Sequence, residues 1–236
     1  MTPEFSLVLP CYDEEEVIEK TVLDLTRAFE RIGRRLEIVA VDNGSRDRTG
    51  AILARLAESN PALVVVRVEV NRGYGDGLLA GLPLASAPWV GILCADGQVA
   101  AEDVAALCLR AAAGSEPRIW KVRRRFRRDG LRRKLVSVAY NLLMNVLFPG
   151  IGSIDVNGNP KLLPRETLRR MRLTARDWFL DAEILLEARR LGVSVVESDV
   201  AGHAREGGRS NVGPSTCLEF ARNIARRRLG LGARGR

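Results

Sequence analysis

Two hydrophobic periods alternate through the first half of the chain. The runs "FSLVLP" (5–10) and "LEIVAVD" (36–42) are short and largely apolar, which predicts strands. Between them, residues 14–32 place Val17, Val22, Leu25 and Phe29 at helical spacing, which predicts an amphipathic helix. "LVVVRVEV" (63–70) and "WVGILC" (89–94) predict two more strands, separated by helical stretches near 47–58 and 74–86. Near-continuous apolar strands joined by helices predict an α/β fold with a mostly parallel, Rossmann-like central sheet covered on both faces. Ligands of such sheets bind just beyond the carboxyl ends of the strands.

The second half reads differently. "LRRKLVSVAYNLLMNVLF" (131–148) predicts a helix, with Asp129-Gly130 as its start. "DVNGNPKLLP" (155–164) is loop passing into a short strand, and "WFLDAEILLEARRLG" (178–192) is a helix closed by Gly192. "VSVVESDV" (193–200) is a strand, and "HAREGGRSN" (203–211) is a glycine-rich loop. With no internal repeat and no clear linker, residues 1–212 are expected to form one domain. Residues 213–236 are expected to form a basic helix or tail.

Charge sharpens this picture. The chain of 236 residues has a formal net charge of +8, unevenly spread. Residues 118–134 hold ten basic residues and one acidic, and residues 217–236 hold six and one, so the remainder is acidic. Two basic patches on an acidic body imply an anionic partner: nucleic acid, an acidic membrane surface or a phosphate-bearing substrate. Stacking platforms are scarce in the basic run, with only Trp120 and Phe126, which argues against nucleic acid. Four scattered cysteines without a CxxC pair argue against a zinc site or a disulfide framework and fit a reducing cytosol. No signal-peptide pattern opens the chain, and no run reaches the ~18 apolar residues that span a bilayer.

Candidate chemistry collects where the first four strands end. Strand one runs into Cys11-Tyr12-Asp13-Glu14, strand two into "VDNGSRD", strand three into "NRGYGDG" and strand four into "CADGQ". Asp42, at a strand end, can accept hydrogen bonds from a base N–H or a ribose hydroxyl, while Ser45 or Asp47 serves the turn and the next helix start. Asp96 and Gln98 offer hard oxygen ligands suited to Mg²⁺ or Mn²⁺, ions that take few protein carboxylates and use substrate phosphates for the rest. Neither a phosphate-binding GxxxxGK[ST] nor a GxGxxG follows the first strand.

The order "LPCYDEEE", "VDNGSRDRT", "NRGYGDG", "CADGQ" resembles the inverting family 2 glycosyltransferases of GT-A fold. "RRKLVSVAYNLL", "DVNGNPKLL", "LDAEILLEARRLG" and "HAREGGRSNV" are similar to the dolichyl- and polyprenyl-phosphate sugar transferases, typified by dolichyl-phosphate mannose synthase. The resemblance implies transfer of a sugar, mannose or glucose, from a GDP- or UDP-sugar to a polyprenyl phosphate with inversion. It implies that Pro10, Tyr12, Glu14 and Asp42 hold the nucleoside and that Asp96 and Gln98 bind the metal. Arg205 would neutralise the leaving diphosphate, with Gly207 and Gly208 letting backbone approach it. Arg133, Ser137 and Lys121 would grip the acceptor phosphate. Asp181 is a catalytic candidate: of Asp181 and Glu183, one is expected to touch sugar hydroxyls and the other to be a surface acid.

Two positions depart from the family pattern. Cys94 stands where the family's Asp-x-Asp metal motif has its first carboxylate, and Asp13 stands where Asn is common. Cys94 leaves open a catalytically weak relative. Also open are a family 2 enzyme acting on a hydroxyl acceptor, which would need Asp181 or Glu183 as base, and a nucleic-acid-binding module. In the helix 131–148, Arg133, Ser137, Asn141 and Asn145 recur every four residues as one polar stripe. That helix is expected either to pack on the core with this face wet or to lie on a membrane surface. The whole implies a peripheral enzyme on the cytoplasmic face of a membrane, alone or with a separate membrane subunit.

Overall fold

The computed structural model describes residues 2–114, 116–124, 131–200 and 222–225. Seven strands form one sheet: β1 (Phe5–Cys11), β2 (Leu36–Asn43), β3 (Leu63–Val68), β4 (Trp89–Ile92), β5 (Ile119–Arg124), β6 (Lys161–Pro164) and β7 (Val195–Val200). Their order is β3-β2-β1-β4-β6-β5-β7, and only β6 runs against its neighbours. Among the described residues the helices that flank the sheet are α1 (Ile18–Arg31), α2 (Thr49–Ser59), α3 (Tyr74–Gly81), α4 (Ala101–Ala112), α5 (Leu131–Leu147), α6 (Arg165–Arg170) and α7 (Leu180–Arg190).

Strand alternation explains why both faces are covered. Leu7 and Leu9 of β1 and Ile38 and Ala40 of β2 pack with α1, α2 and α4. Their neighbours Val8, Val39 and Val41 point the other way, onto Tyr74 and Leu78 of α3 and Leu180 and Ile184 of α7. A third cluster lies outboard, where Tyr140, Met144 and Phe148 of α5 pack on Phe179, Ala182 and Leu185 beside α7. Ile224 is buried in that cluster, so the described turn of the basic tail docks on the body.

Three elements differ from the sequence expectation, the short helix α6 among them. Residues 101–112 form a helix where none is read from the pattern, and β5 lies inside the basic run 118–134. In β5, Ile119 and Val122 are core residues on opposite faces, so the run is a strand before it is a charge patch.

The topology brings one edge of the sheet together. The carboxyl ends of β1 to β5 and β7 share that edge with the start of the reversed β6, since Ile92 pairs with Lys161 and Lys121 pairs with Lys161. In chain order helix α5 lies between β5 and β6.

Candidate active site at the carboxyl edge of the sheet

Two turns at this edge are laced together. Glu14 N donates to Thr49 Oγ1 at 2.8 Å, Glu15 N to Asp47 Oδ2 at 3.0 Å and Arg46 N to Asp13 Oδ1 at 2.8 Å. Asp13 adopts φ 54, a left-handed conformation that Asp and Asn tolerate better than most residues. Burial opposes ionisation of Asp47, but hydrogen bonds from Thr49 and from the Glu15 backbone outweigh it and hold the carboxyl below its usual range. This lacing fixes Pro10, Tyr12 and Glu14 beside Asp42, because Cys11 and Asp42 are register partners.

Asp42 is buried, and its Oδ1 accepts from Ser45 N at 3.0 Å. Its other oxygen faces Gly50, where an added Cβ would lie 2.4 Å from Oδ2. Gly50→Ala is therefore expected to displace the Asp42 carboxylate. The overpacking costs about 1–3 kcal/mol of stability, readable by urea denaturation, and nucleoside-diphosphate affinity should fall with it.

Asp96 and Gln98 sit two residues apart in the loop after β4. Gln98 N donates to Asp96 Oδ1 at 3.2 Å, and Gly97 between them takes φ 66. The donor set is one carboxylate and one amide. Among the described residues no group of three or more His, Cys, Asp or Glu could hold a metal ion. That composition fits a hard divalent ion completing its shell with substrate oxygens, not a dedicated protein cage.

Beside this loop lies a buried polar cluster that the sequence reading left unassembled. Asn159 Nδ2 approaches Tyr74 Oη at 3.1 Å, Asp181 Oδ2 at 3.2 Å and Cys94 Sγ at 3.7 Å. Lys161 Nζ donates to Asp181 Oδ1 at 2.5 Å and to Asn159 Oδ1 at 3.2 Å. Burial, with Asp181 nearby, raises the Tyr74 phenol well above its ordinary value, so it stays protonated. Its ring stacks on Trp178, with centroids 4.3 Å apart and planes 8° from parallel.

Asp181 is 1% exposed with both oxygens engaged, so the structure does not present it to a ligand as a catalytic carboxylate. Glu183 is not a surface acid either. It is buried and accepts from Thr174 N, Thr174 Oγ1 and Ala175 N at 2.8–3.0 Å, tying α7 to the segment before it.

Lys121 is also placed differently from the expectation that it grips a phosphate. The β5–β7 register sets Lys121 opposite Glu197 and Arg123 opposite Asp199. Lys121 is fully buried, 3.1 Å from Glu197, and donates to the Asp155 carbonyl oxygen. Arg123 grips Asp199 with two nitrogens, at 2.6 and 2.9 Å. Two cations of the basic run, Lys121 and Arg123, are thus paired with acids of the neighbouring strand. Glu197 also accepts from Ser153 Oγ and from the backbone of Ile154 and Asp155, which pins the loop after α5.

Desolvation, with Lys161 alongside, lowers the Lys121 amine to about 8, against the pull of Glu197. The unfolded chain holds that proton up to about pH 10.5. Between these values the unfolded state binds more protons, so stability rises with pH, by at most about 3 kcal/mol. Urea denaturation from pH 7.5 to 11 should show this rise as a difference from Lys121→Met, which lacks the group.

Helix α5 buries Tyr140, Met144 and Phe148, and two residues of its polar stripe bind the loop that follows it: Val156 N donates to Asn141 Oδ1 at 3.1 Å, and Asn145 Nδ2 donates to the Ser153 carbonyl at 3.0 Å. Its apolar positions Val138, Leu142, Leu143 and Val146, with Ile154 beside them in sequence order, are 43–67% exposed. Ser137 is half-buried. The side chain of Arg133, and Arg205, Gly207 and Gly208 entirely, lie outside the described residues.

Comparison with known proteins decides the family. The model of glycosyl transferase family 2 matches residues 6–155. The chain belongs to glycosyl transferase family 2. Over 141 residues it is 35% identical to an undecaprenyl-phosphate 4-deoxy-4-formamido-L-arabinose transferase of Pectobacterium carotovorum, covering 59% of this chain and 42% of that one. This family 2 chain therefore spans less than half the length of that relative. It is 27% identical over 221 residues to a dolichyl-phosphate beta-glucosyltransferase of Trichomonas vaginalis, covering 88% of this chain and 68% of the other. The glucosyl-3-phosphoglycerate synthase of Mycobacterium tuberculosis, solved with Mn²⁺, UDP and glucosyl-3-phosphoglycerate, shares the fold at TM-score 0.75 and 22% identity, over 99% of this chain and 82% of that one. The GT-A expectation is borne out.

Proposed function

We propose that this family 2 glycosyltransferase moves a sugar from a nucleoside-diphosphate donor to a polyprenyl phosphate at a membrane surface. The observation that carries the proposal is the placement of α5. It packs Tyr140, Met144 and Phe148 on the body beside α7 and turns Val138, Leu142, Leu143 and Val146 outward. Seven basic residues and one acidic lie between 124 and 134, at its start. An apolar stripe flanked by such a cluster suits an anionic bilayer, where each Lys or Arg contributes about 1 kcal/mol. The relatives named for undecaprenyl- and dolichyl-phosphate sugar transfer support the same acceptor class. No helix among the described residues is long and apolar enough to cross a membrane; the attachment proposed for this part of the protein runs through α5 and the basic tail. A separate membrane subunit is compatible with the same arrangement.

The chemistry follows from charge. An oxygen of the acceptor phosphate attacks the sugar's anomeric carbon while the bond to the diphosphate breaks, inverting the centre. A phosphate is already an oxyanion near neutral pH, so no strong general base is needed. The engagement of both Asp181 and Glu183 in buried hydrogen bonds supports this acceptor over a hydroxyl, which would require one of them as base. Asp42, with Pro10, Tyr12 and Glu14, is proposed to hold the nucleoside. Asp96 and Gln98 would hold Mg²⁺ or Mn²⁺, which when bound stabilises the charge that builds on the leaving diphosphate. Arg205 is proposed to share that charge, and Arg133 and Ser137 to meet the acceptor phosphate.

The test compares acceptors that differ by one group. Polyprenyl phosphate should yield a glycosylated lipid phosphate by mass spectrometry, and free polyprenol of the same chain should yield nothing. Equal glycosylation of the polyprenol, or of a saccharide, would overturn the proposal.

A further inference from the structure

The buried ion pair Lys161–Asp181 has no evident task in the fold. Lys161 is fully buried and Asp181 nearly so, inside a network that joins the end of β4, the start of α3, the start of β6 and the start of α7. A buried pair of this kind commonly contributes no more stability than apolar residues of equal volume. Its geometric effect is specific. An ammonium group has only hydrogens to offer, so the Asn159 amide must turn its oxygen to Lys161. A carboxylate can only accept, so Asp181 takes the amide nitrogen. The two charges together remove the amide's freedom to flip. The nitrogen side is left facing Tyr74 Oη and Cys94 Sγ, two hydrogens shared among three acceptors.

Cys94 is the outermost member of this group, half-buried and two residues before Asp96. At 3.7 Å its contact with the amide is the longest of the set. A stronger acceptor arriving there, such as a sugar hydroxyl, can claim that hydrogen from the thiol at little cost.

We propose that Lys161 and Asp181 are positioning residues which lock the Asn159 amide so that its N–H, beside Cys94, reads a hydroxyl of the donor sugar. The assignment rests on the transfer reaction proposed above. It replaces direct contact between Asp181 and the sugar by an action through Asn159.

The test uses the whole protein with Mn²⁺, a panel of UDP, GDP, UDP-glucose and GDP-mannose, and polyprenyl phosphate. The double variant Lys161→Met/Asp181→Leu removes both charges at once and should keep the wild-type thermal midpoint within a few degrees. It should bind the preferred nucleoside diphosphate within about threefold of wild type, because Asp42 and the turns around it are untouched. Its kcat should fall at least thirtyfold, and Asn159→Ala should reproduce that loss with no added loss in the triple variant. Lys161→Arg, which keeps a buried cation, should recover part of the rate. A folded double variant with kcat within threefold of wild type overturns the inference, as does a loss of nucleotide binding equal to the loss of kcat. Should wild type itself bind no nucleoside diphosphate, it is the transfer reading that fails, and the inference with it.

Discussion

Asp96→Ala should lower kcat by 10²–10³-fold or more while leaving the fold intact. The removed carboxylate is the hard anionic ligand of the loop after β4, and Gln98 alone offers a neutral amide. Loss of charge stabilisation on a leaving group typically costs about 3–4 kcal/mol of the barrier. The structural cost is small by comparison. Asp96 is only partly buried, and its hydrogen bond with Gln98 N is worth about 1 kcal/mol. Steady-state kinetics beside a thermal melt would separate the two effects. The position of Cys94 makes this prediction sharp, since no second carboxylate of an Asp-x-Asp motif remains to compensate. A variant that keeps more than a tenth of wild-type kcat would show that the metal is held elsewhere.

The second large effect belongs to α5. Leu142→Asp/Val146→Asp should release the protein from vesicles containing phosphatidylglycerol without changing its melting temperature. Both side chains are more than 60% exposed in the free protein, so the fold gains little from them. Burying such a side chain in a bilayer interface is worth about 1.5–3 kcal/mol when complete. Losing two and adding two negative charges should weaken vesicle binding at least a hundredfold. Co-sedimentation at low and high salt reads this directly. Undiminished binding would mean that the outward face of α5 does not meet the membrane.

Much of this was legible in the sequence because parallel strands have a simple signature. Four apolar runs ending in polar turns place Pro10, Tyr12, Glu14, Asp42 and Asp96 at one sheet edge, and the structure brings them there. The elements that escaped did so for physical reasons. Helix α4 is rich in alanine, so its buried face, with Ala101, Ala105 and Ala111, contrasts weakly with its exposed one. Strand β5 carries Lys121 at a core position, where it is paired with the Glu197 opposite it. That partner lies 76 residues away and comes into register only in the folded sheet. The Lys161–Asp181–Asn159 cluster is hidden for the same reason. The one sequence signal is a lysine opening an otherwise apolar strand, "KLLP", with an asparagine two residues before it. The polar stripe of α5 was visible, but which way it faces depends on the loop 151–158 that its asparagines hold.

The most direct measurement of the central claim is partition of label after reaction. The protein is incubated with each of several labelled nucleotide sugars, polyprenyl phosphate and Mg²⁺ or Mn²⁺, and the mixture is extracted into organic solvent. The account predicts metal-dependent label in the lipid phase with at least one donor. Label that stays in the aqueous phase with every donor would contradict it.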